Sequence, residues 1–201
     1  VTSYPISFPN YAAPNAERFT LNRRQSVTES PWTYAVQTVD TAAQWQLQWS
    51  WPRMRLAQAE RIAAWGLSLK GQHGSFRYYP RQFSSTLTGR SLALPGYTYQ
   101  DTISATGWGA GAATELRPGQ WFSIGDQLLR LIDAPTTADA NGRVTISFEP
   151  FLRVQYVAGT GLNFTAPSGV FRLNDSNGIA YTLDPDKLPD FGAIQAREVV
   201  G

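Results

Sequence analysis

Cysteine is absent from the 201 residues, and histidine occurs once. The first absence excludes disulfides, thiolate metal sites and cysteine nucleophiles, and it leaves the redox compartment open. The second excludes a histidine-rich metal centre and forces any Ser-His-Asp arrangement to use His73. No stretch approaches 18 uninterrupted apolar residues, so no transmembrane helix is expected. The opening Val1-Thr2-Ser3-Tyr4-Pro5 lacks the basic-then-apolar layout of a secretion signal. The expectation is a soluble protein made in the cytoplasm, without membrane insertion. Lysine is scarce too: 15 of the 17 basic residues are Arg, which favours fixed, forked hydrogen bonds and leans toward interfaces. They are scattered singly, with no basic run longer than Arg23-Arg24, so sequence-directed binding of nucleic acid is not expected.

Aromatic residues are plentiful, with seven Trp and nine Tyr. From Ala43 to Trp51 one parity reads Ala-Trp-Leu-Trp-Trp and the other Gln-Gln-Gln-Ser. A β-strand turns this alternation into two faces. Trp45, Leu47, Trp49 and Trp51 form the apolar one and face a core; Gln44, Gln46, Gln48 and Ser50 form the other and meet water or another chain. A chain of this length buries roughly 70% of its extended surface, enough for one β-rich domain or two smaller units without staples. Charge is uneven, +6 over residues 1–100 and −4 over 101–201. That asymmetry either steers copies together or is cancelled within the fold.

Pro5, Pro9, Pro14 and Pro31 predict an N-terminal arm or irregular edge over 1–31, with short pairings at Ile6–Phe8 and Phe19–Leu21. Trp32, Tyr34 and Val36 predict a strand linked through Val39-Asp40-Thr41 to the tryptophan strand. Pro52 ends that strand, and the spacing of Leu56, Ala59, Ile62, Ala63 and Leu67 predicts a helix over about 53–70 with Gly71 as its C′ residue. Phe76–Pro80 resumes strand character, Thr98–Ile103 is a further candidate strand, and Gly107–Ala112 is a curving loop. Pro118-Gly119 predicts a type II turn, Gly125-Asp126 a tight reversal, and Leu129–Leu131 pairs with Val144–Phe148. Gly169–Leu173 and Ile179–Leu183 read as a hairpin. The expected fold is mainly β: one unit over 32–106 with the closing C-terminal strands and the helix, and a second β module over 107–165.

Chemistry is thinly represented. His73 lies in a Gly-Gln-His-Gly turn, and nothing places Ser75, Asp101 or Asp126 beside it. Asp184-Pro185-Asp186 with Asp190, and Asp175, resemble fragments of calcium turns, but the terminal Glu of a twelve-residue loop is missing. Glu115, Glu149 and Glu198 are too far apart in sequence to be read as a glycosidase pair. The glycine run 107–111 lacks the Gly-Lys-Ser/Thr ending of a phosphate cradle. No catalytic, cofactor or metal residues are assigned, and an enzyme is not expected. Trp108 in its glycine loop and Trp121 after Pro118-Gly119-Gln120 are the candidates for exposed partner or sugar contacts.

The pieces in order resemble a known family. Apolar-alternating strand, proline, alanine-rich helix, Gly74-Ser75-Phe76, the run Pro118 to Leu128, Asp139-Ala140-Asn141-Gly142, Phe148 to Arg153 and Pro167 to Leu173 together are similar to the distal tail proteins of long non-contractile-tailed (siphovirus-like) bacteriophages, over about residues 30–200. The resemblance implies a tail-tube-like β-sandwich or split barrel with one packed helix plus a small β-barrel-like module. It implies a hexameric ring at the tail tip, made in the host cytoplasm and built into the virion. That ring joins tail tube protein to tail hub protein, near the tape-measure protein, and leaves a channel through which DNA passes unread. The glutamine face then suits a channel lining or an inter-subunit surface, with arginines mainly outside the bore or paired. A tail-tube or other tip-ring subunit, and a carbohydrate-binding β module, are the alternatives.

Overall fold

The computed structural model describes residues 3–81, 85–184 and 188–199. The elements among them are β1 (Ile6–Ser7), β2 (Ala16–Glu29), β3 (Val36–Ser50), α1 (Leu56–Ser68), β4 (Phe76–Tyr78), β5 (Arg90–Leu92), β6 (Thr102–Thr106), β7 (Trp121–Ile124), β8 (Gln127–Asp133), β9 (Arg143–Glu149), β10 (Gly161–Asn163), β11 (Gly169–Leu173), β12 (Thr182–Leu183), β13 (Pro189–Asp190) and β14 (Ile194–Glu198). The fold is mainly β, with one helix and a closed barrel among the described residues. No described helix is long and apolar enough to cross a membrane. The chain divides into two compact units: residues 1–4, 9–75 and 172–198, and residues 5–8, 76–171 and 199–201.

The first unit is organised by β3. Its N-terminal partner β2 runs antiparallel to it along the whole length, from Ala16 opposite Ser50 to Glu29 opposite Val36, with a bulge between Arg24 and Gln25. On its other edge β14 pairs from Ile194 opposite Trp49 to Arg197 opposite Gln46. Trp45, Leu47, Trp49 and Trp51 are all buried, as the alternation requires. Trp49 and Trp51 meet edge to face at 5.8 Å, Trp51 meets Phe191 at 5.3 Å, and Phe19 of β2 meets Trp45 at 6.3 Å. Edge-to-face packing of this kind adds about 0.5–1.5 kcal/mol per pair beyond the area buried.

α1 packs on this core through Ala59, Ile62 and Gly66, with Trp65 edge to face against Trp51. Gly66 is required there, because a Cβ would lie 2.8 Å from Ile179 Cβ. The helix is shorter than the spacing predicts. It begins after Arg55, whose N–H donates to Gln58 Oε1 at 3.4 Å, so Pro52 sits in the preceding coil. It ends at Ser68 with Leu69 as its C-cap, and the left-handed step falls on Lys70 (φ 51°) before Gly71 (φ 64°).

Three expectations in this unit are corrected. A 14-residue strand, β2, occupies the second half of the segment read as an irregular arm. Trp32 and Tyr34 lie in the hairpin turn, closed by Ser30 N–H to Ala35 O at 2.9 Å, and Val39–Thr41 is strand interior. Ile179–Leu183 does not return along β11: Ile179 is buried against α1 and β12 pairs with β13. Cross-strand hydrogen bonding decides the first two, since a ladder holds exposed segments that carry no apolar period, whereas packing of Ile179 against Gly66 decides the third.

In the second unit, β1 runs parallel to β4 and β11 antiparallel to it. The rest is a barrel in the order β10-β5-β6-β9-β8-β7, closed because the three-residue β10 pairs with both β5 and β7. Its core contains Phe122, Phe148 and Phe164, with Phe122 and Phe164 stacked at 5.1 Å. The expected pairing of β8 with β9 is present, Leu131 opposite Phe148. The unit starts near residue 76, well before the expected 107, because β5 and β6 belong to it. β6 begins at Thr102, later than the candidate strand 98–103.

Candidate functional site

The first unit projects a two-stranded arm. From Asn22 to Ala42 every residue is exposed except half-buried Ser30. β14 covers β3 only over Gln46–Trp49, and β2 is an edge strand, so beyond the bulge both edges of the ribbon are open among the described residues. Val27, Val36 and Val39 are exposed along it, and Trp32 at the tip is 90% exposed with Tyr34 beside it. Register places Val27 and Val36 on one face, since Glu29 is opposite Val36 and Val27 opposite Thr38. Within the arm, Arg23 pairs with Asp40 at 3.4 Å and Thr41 Oγ1 donates to Arg24 O at 2.9 Å.

Behind the arm lies the polar side of the sheet. Gln44, Gln46, Gln48 and Ser50 are half-buried on it, opposite the tryptophans. Side-chain amides link three strands: Asn22 Nδ2 donates to Gln46 Oε1 at 2.7 Å, and Gln46 Nε2 donates to Gln195 Oε1 at 3.2 Å. Ser50 Oγ donates to Asn15 Oδ1 at 2.7 Å. Arg18 stands opposite Gln48, Arg197 opposite Gln46, and Arg24 opposite Ala42, so arginines flank the amides. Neither Arg18, Arg24 nor Arg197 forms an ion pair among the described residues. A shallow depression of about 390 Å³ joins Asn22, Arg24, Gln44, Gln46 and Arg197. Arginines therefore border the glutamine face on both neighbouring strands.

The two tryptophans singled out as exposed contacts are interior. Trp108 is 8% exposed, donates from Nε1 to Thr114 O at 3.0 Å, and carries the Arg90 guanidinium over its ring at 4.6 Å. Trp121 is 7% exposed on β7, under the Arg130 guanidinium at 5.1 Å. Their glycine- and proline-rich surroundings offer little local packing, but Trp108 joins the barrel core and Arg130, directly opposite Trp121 on β8, covers the second ring.

The residues considered for chemistry are divided between the two units. His73 is exposed in the first unit and meets only Tyr4 edge-on among the described rings, at 6.0 Å. Asp101 and Asp126 belong to the second unit, where Asp126 pairs with Arg77 at 2.5 Å. Asp175 accepts the Asn177 N–H at 2.8 Å as an ordinary turn; Asp184 accepts the Leu188 N–H and pairs with Arg53 at 3.3 Å. Pro185 and Asp186 lie outside the described residues. Glu198 is buried beside the Trp45 backbone N–H in the first unit, whereas Glu115 and Glu149 belong to the second. No family model matches the sequence, and a search of curated proteins returns no match.

The halves of opposite charge do not survive folding as separate bodies. Because residues 172–198 return to the first unit, it holds ten basic and nine acidic residues, and the second unit seven and six. Attraction between a basic and an acidic half is thus removed as a source of head-to-tail contact.

Proposed function

We propose that this chain is a structural subunit of a ring at the distal end of a phage tail, an adaptor in the virion between tail tube and hub that leaves a passage for DNA. The supporting observation is the exposed arm. An isolated two-stranded ribbon is marginal in water, and this one exposes two open edges, three valines and an indole. Such a ribbon is stabilised when a neighbouring copy adds strands or covers its tip. Repetition of an arm-to-neighbour contact is heterologous and gives a ring when the rotation between copies closes, here proposed to be hexameric.

The arginines help choose between the two roles considered for the amide face. Unpaired guanidinium groups lining a bore would hold passing phosphates. The same groups beside a row of amides suit a contact with another protein, so the face is assigned to a subunit or tube–hub interface. A tube subunit or a different tip ring would use the same arm, but the closed barrel gives this chain a second module with its own core, which favours an adaptor. The carbohydrate-module reading loses its two aromatic platforms, since Trp108 and Trp121 are buried.

The test is assembly. Native mass spectrometry and negative-stain images of the purified chain, alone and mixed with tail tube and hub proteins, should show a closed ring, and deleting residues 26–38 should abolish it. A protein that stays monomeric at high concentration, even beside those partners, removes the proposal.

A further inference from the structure

The barrel unit has a groove of about 610 Å³ lined by Arg81, Arg117 and Arg130 together with Pro118, Gly119 and Trp121. No carboxylate lines it among the described residues. Arg130 is fixed in advance: its Nε donates to Gly119 O at 2.9 Å, and its guanidinium lies over the buried Trp121 ring. Gly119 has φ +83°, and a Cβ there would stand 3.7 Å from Arg130 Nη2, so the turn and the guanidinium lie against one another. The turn itself is held by Gln120 N–H to Arg117 O at 3.1 Å, and by the Arg117 N–H, which donates to Gln120 Oε1 at 3.3 Å. The exposed Arg117 guanidinium makes no ion pair or hydrogen bond among the described residues.

Stacking and a backbone bond remove most of the freedom that an arginine would lose on gripping a ligand, which is the usual obstacle to tight anion binding by long side chains. The nearest carboxylate by register is Glu149, opposite Arg130 on β9 and outside the groove lining. Glu115, two residues from Arg117, lines a separate depression. Arg117 and Arg130 thus bring two forked guanidinium groups to a groove whose described lining holds no carboxylate, which matches a dianion better than a lone carboxylate. We propose that this groove binds a multiply charged phosphate group, with Arg117 and Arg130 as its forked donors. Neither the arm nor the amide face enters the argument, so the site stands or falls separately from ring formation.

Inorganic pyrophosphate is the probe, titrated at constant ionic strength into the full-length, ¹⁵N-labelled protein and followed by NMR. Saturable shifts are expected at the Trp121 indole and the Gly119 and Gln120 amides, with acetate at equal concentration giving none. R117Q and R130Q should each weaken pyrophosphate at least tenfold, whereas R143Q, an exposed barrel arginine outside the groove, should bind as the parent does. Since R130Q also uncovers Trp121, R117Q on the exposed turn is the deciding variant, its fold checked by an otherwise unchanged spectrum. Non-saturating shifts, an R117Q affinity equal to the parent's, acetate binding as strongly, or equal weakening by R143Q would each overturn the proposal.

Discussion

At the scale of single residues, the tryptophan strand shows which positions matter for stability. Trp49 is 1% exposed and packed against Trp51, so W49A should cost about 3–5 kcal/mol in urea unfolding. Gln46, three residues away and so on the polar side, makes only exposed amide bonds. Q46A should therefore change stability by about 1 kcal/mol or less, while weakening any assembly that uses that face. Gly71 is a backbone-determined position: at φ +64° a Cβ would come within 2.3 Å of Ser176 O. G71A should destabilise the first unit by roughly 1–3 kcal/mol or more, read as a lowered unfolding midpoint. The burial of Trp45, Leu47, Trp49 and Trp51 was legible because period-two alternation is itself the physical cause of a two-faced strand. The burial of Trp108 and Trp121 was not legible, because Arg90 and Arg130 cover them from positions 18 and nine residues away in sequence.

Among the elements, the arm carries the sharpest expectations. Its edges are open and its side chains exposed, so local opening should be frequent compared with the rest of the first unit. Trypsin should nick the free protein first at Arg23 or Arg24, and assembly should suppress that cut; a first cut within the barrel would contradict the picture. Trp32 should emit as a solvated indole. W32F should remove the red-shifted, iodide-quenchable part of the fluorescence while leaving the unfolding free energy within about 0.5 kcal/mol. The arm was the element least readable from sequence. Residues Arg23 to Val36 have no apolar period, since neither face of the ribbon is buried, and Pro31 marks the turn at its tip and not a boundary before a body. The helix was readable in existence but not in length, because docking through Ala59, Ile62 and Gly66 sets its useful extent.

For the molecule as a whole, the division into two units reassigns both charge and strands. The second unit begins at β4, and its barrel is completed by only three residues, Gly161–Asn163. Leu162 is 5% exposed at that seam, between Arg90 of β5 and Ile124 of β7. L162D should open the barrel, with a loss of more than about 3 kcal/mol and new binding of a hydrophobic dye, whereas L162V should be nearly silent. Mainly β composition with one helix was legible from strand alternation and from proline and glycine punctuation. Which strands share a sheet was not, because pairings such as β10 with β7, or β14 with β3, join segments separated by long stretches of chain, and a local pattern holds no record of them.

One consequence of the continuity of β3 concerns force. Its 15 residues run without a break from Val36 at the arm to Ser50 beside the indole core, a rod of roughly 50 Å at about 3.3 Å per residue. A load applied at the tip travels along β3, past the bulge opposite Arg24 and Gln25, and is resisted on either side of it by ladder bonds sheared together, so the first unit is suited to take tension along the strand without letting go one contact at a time.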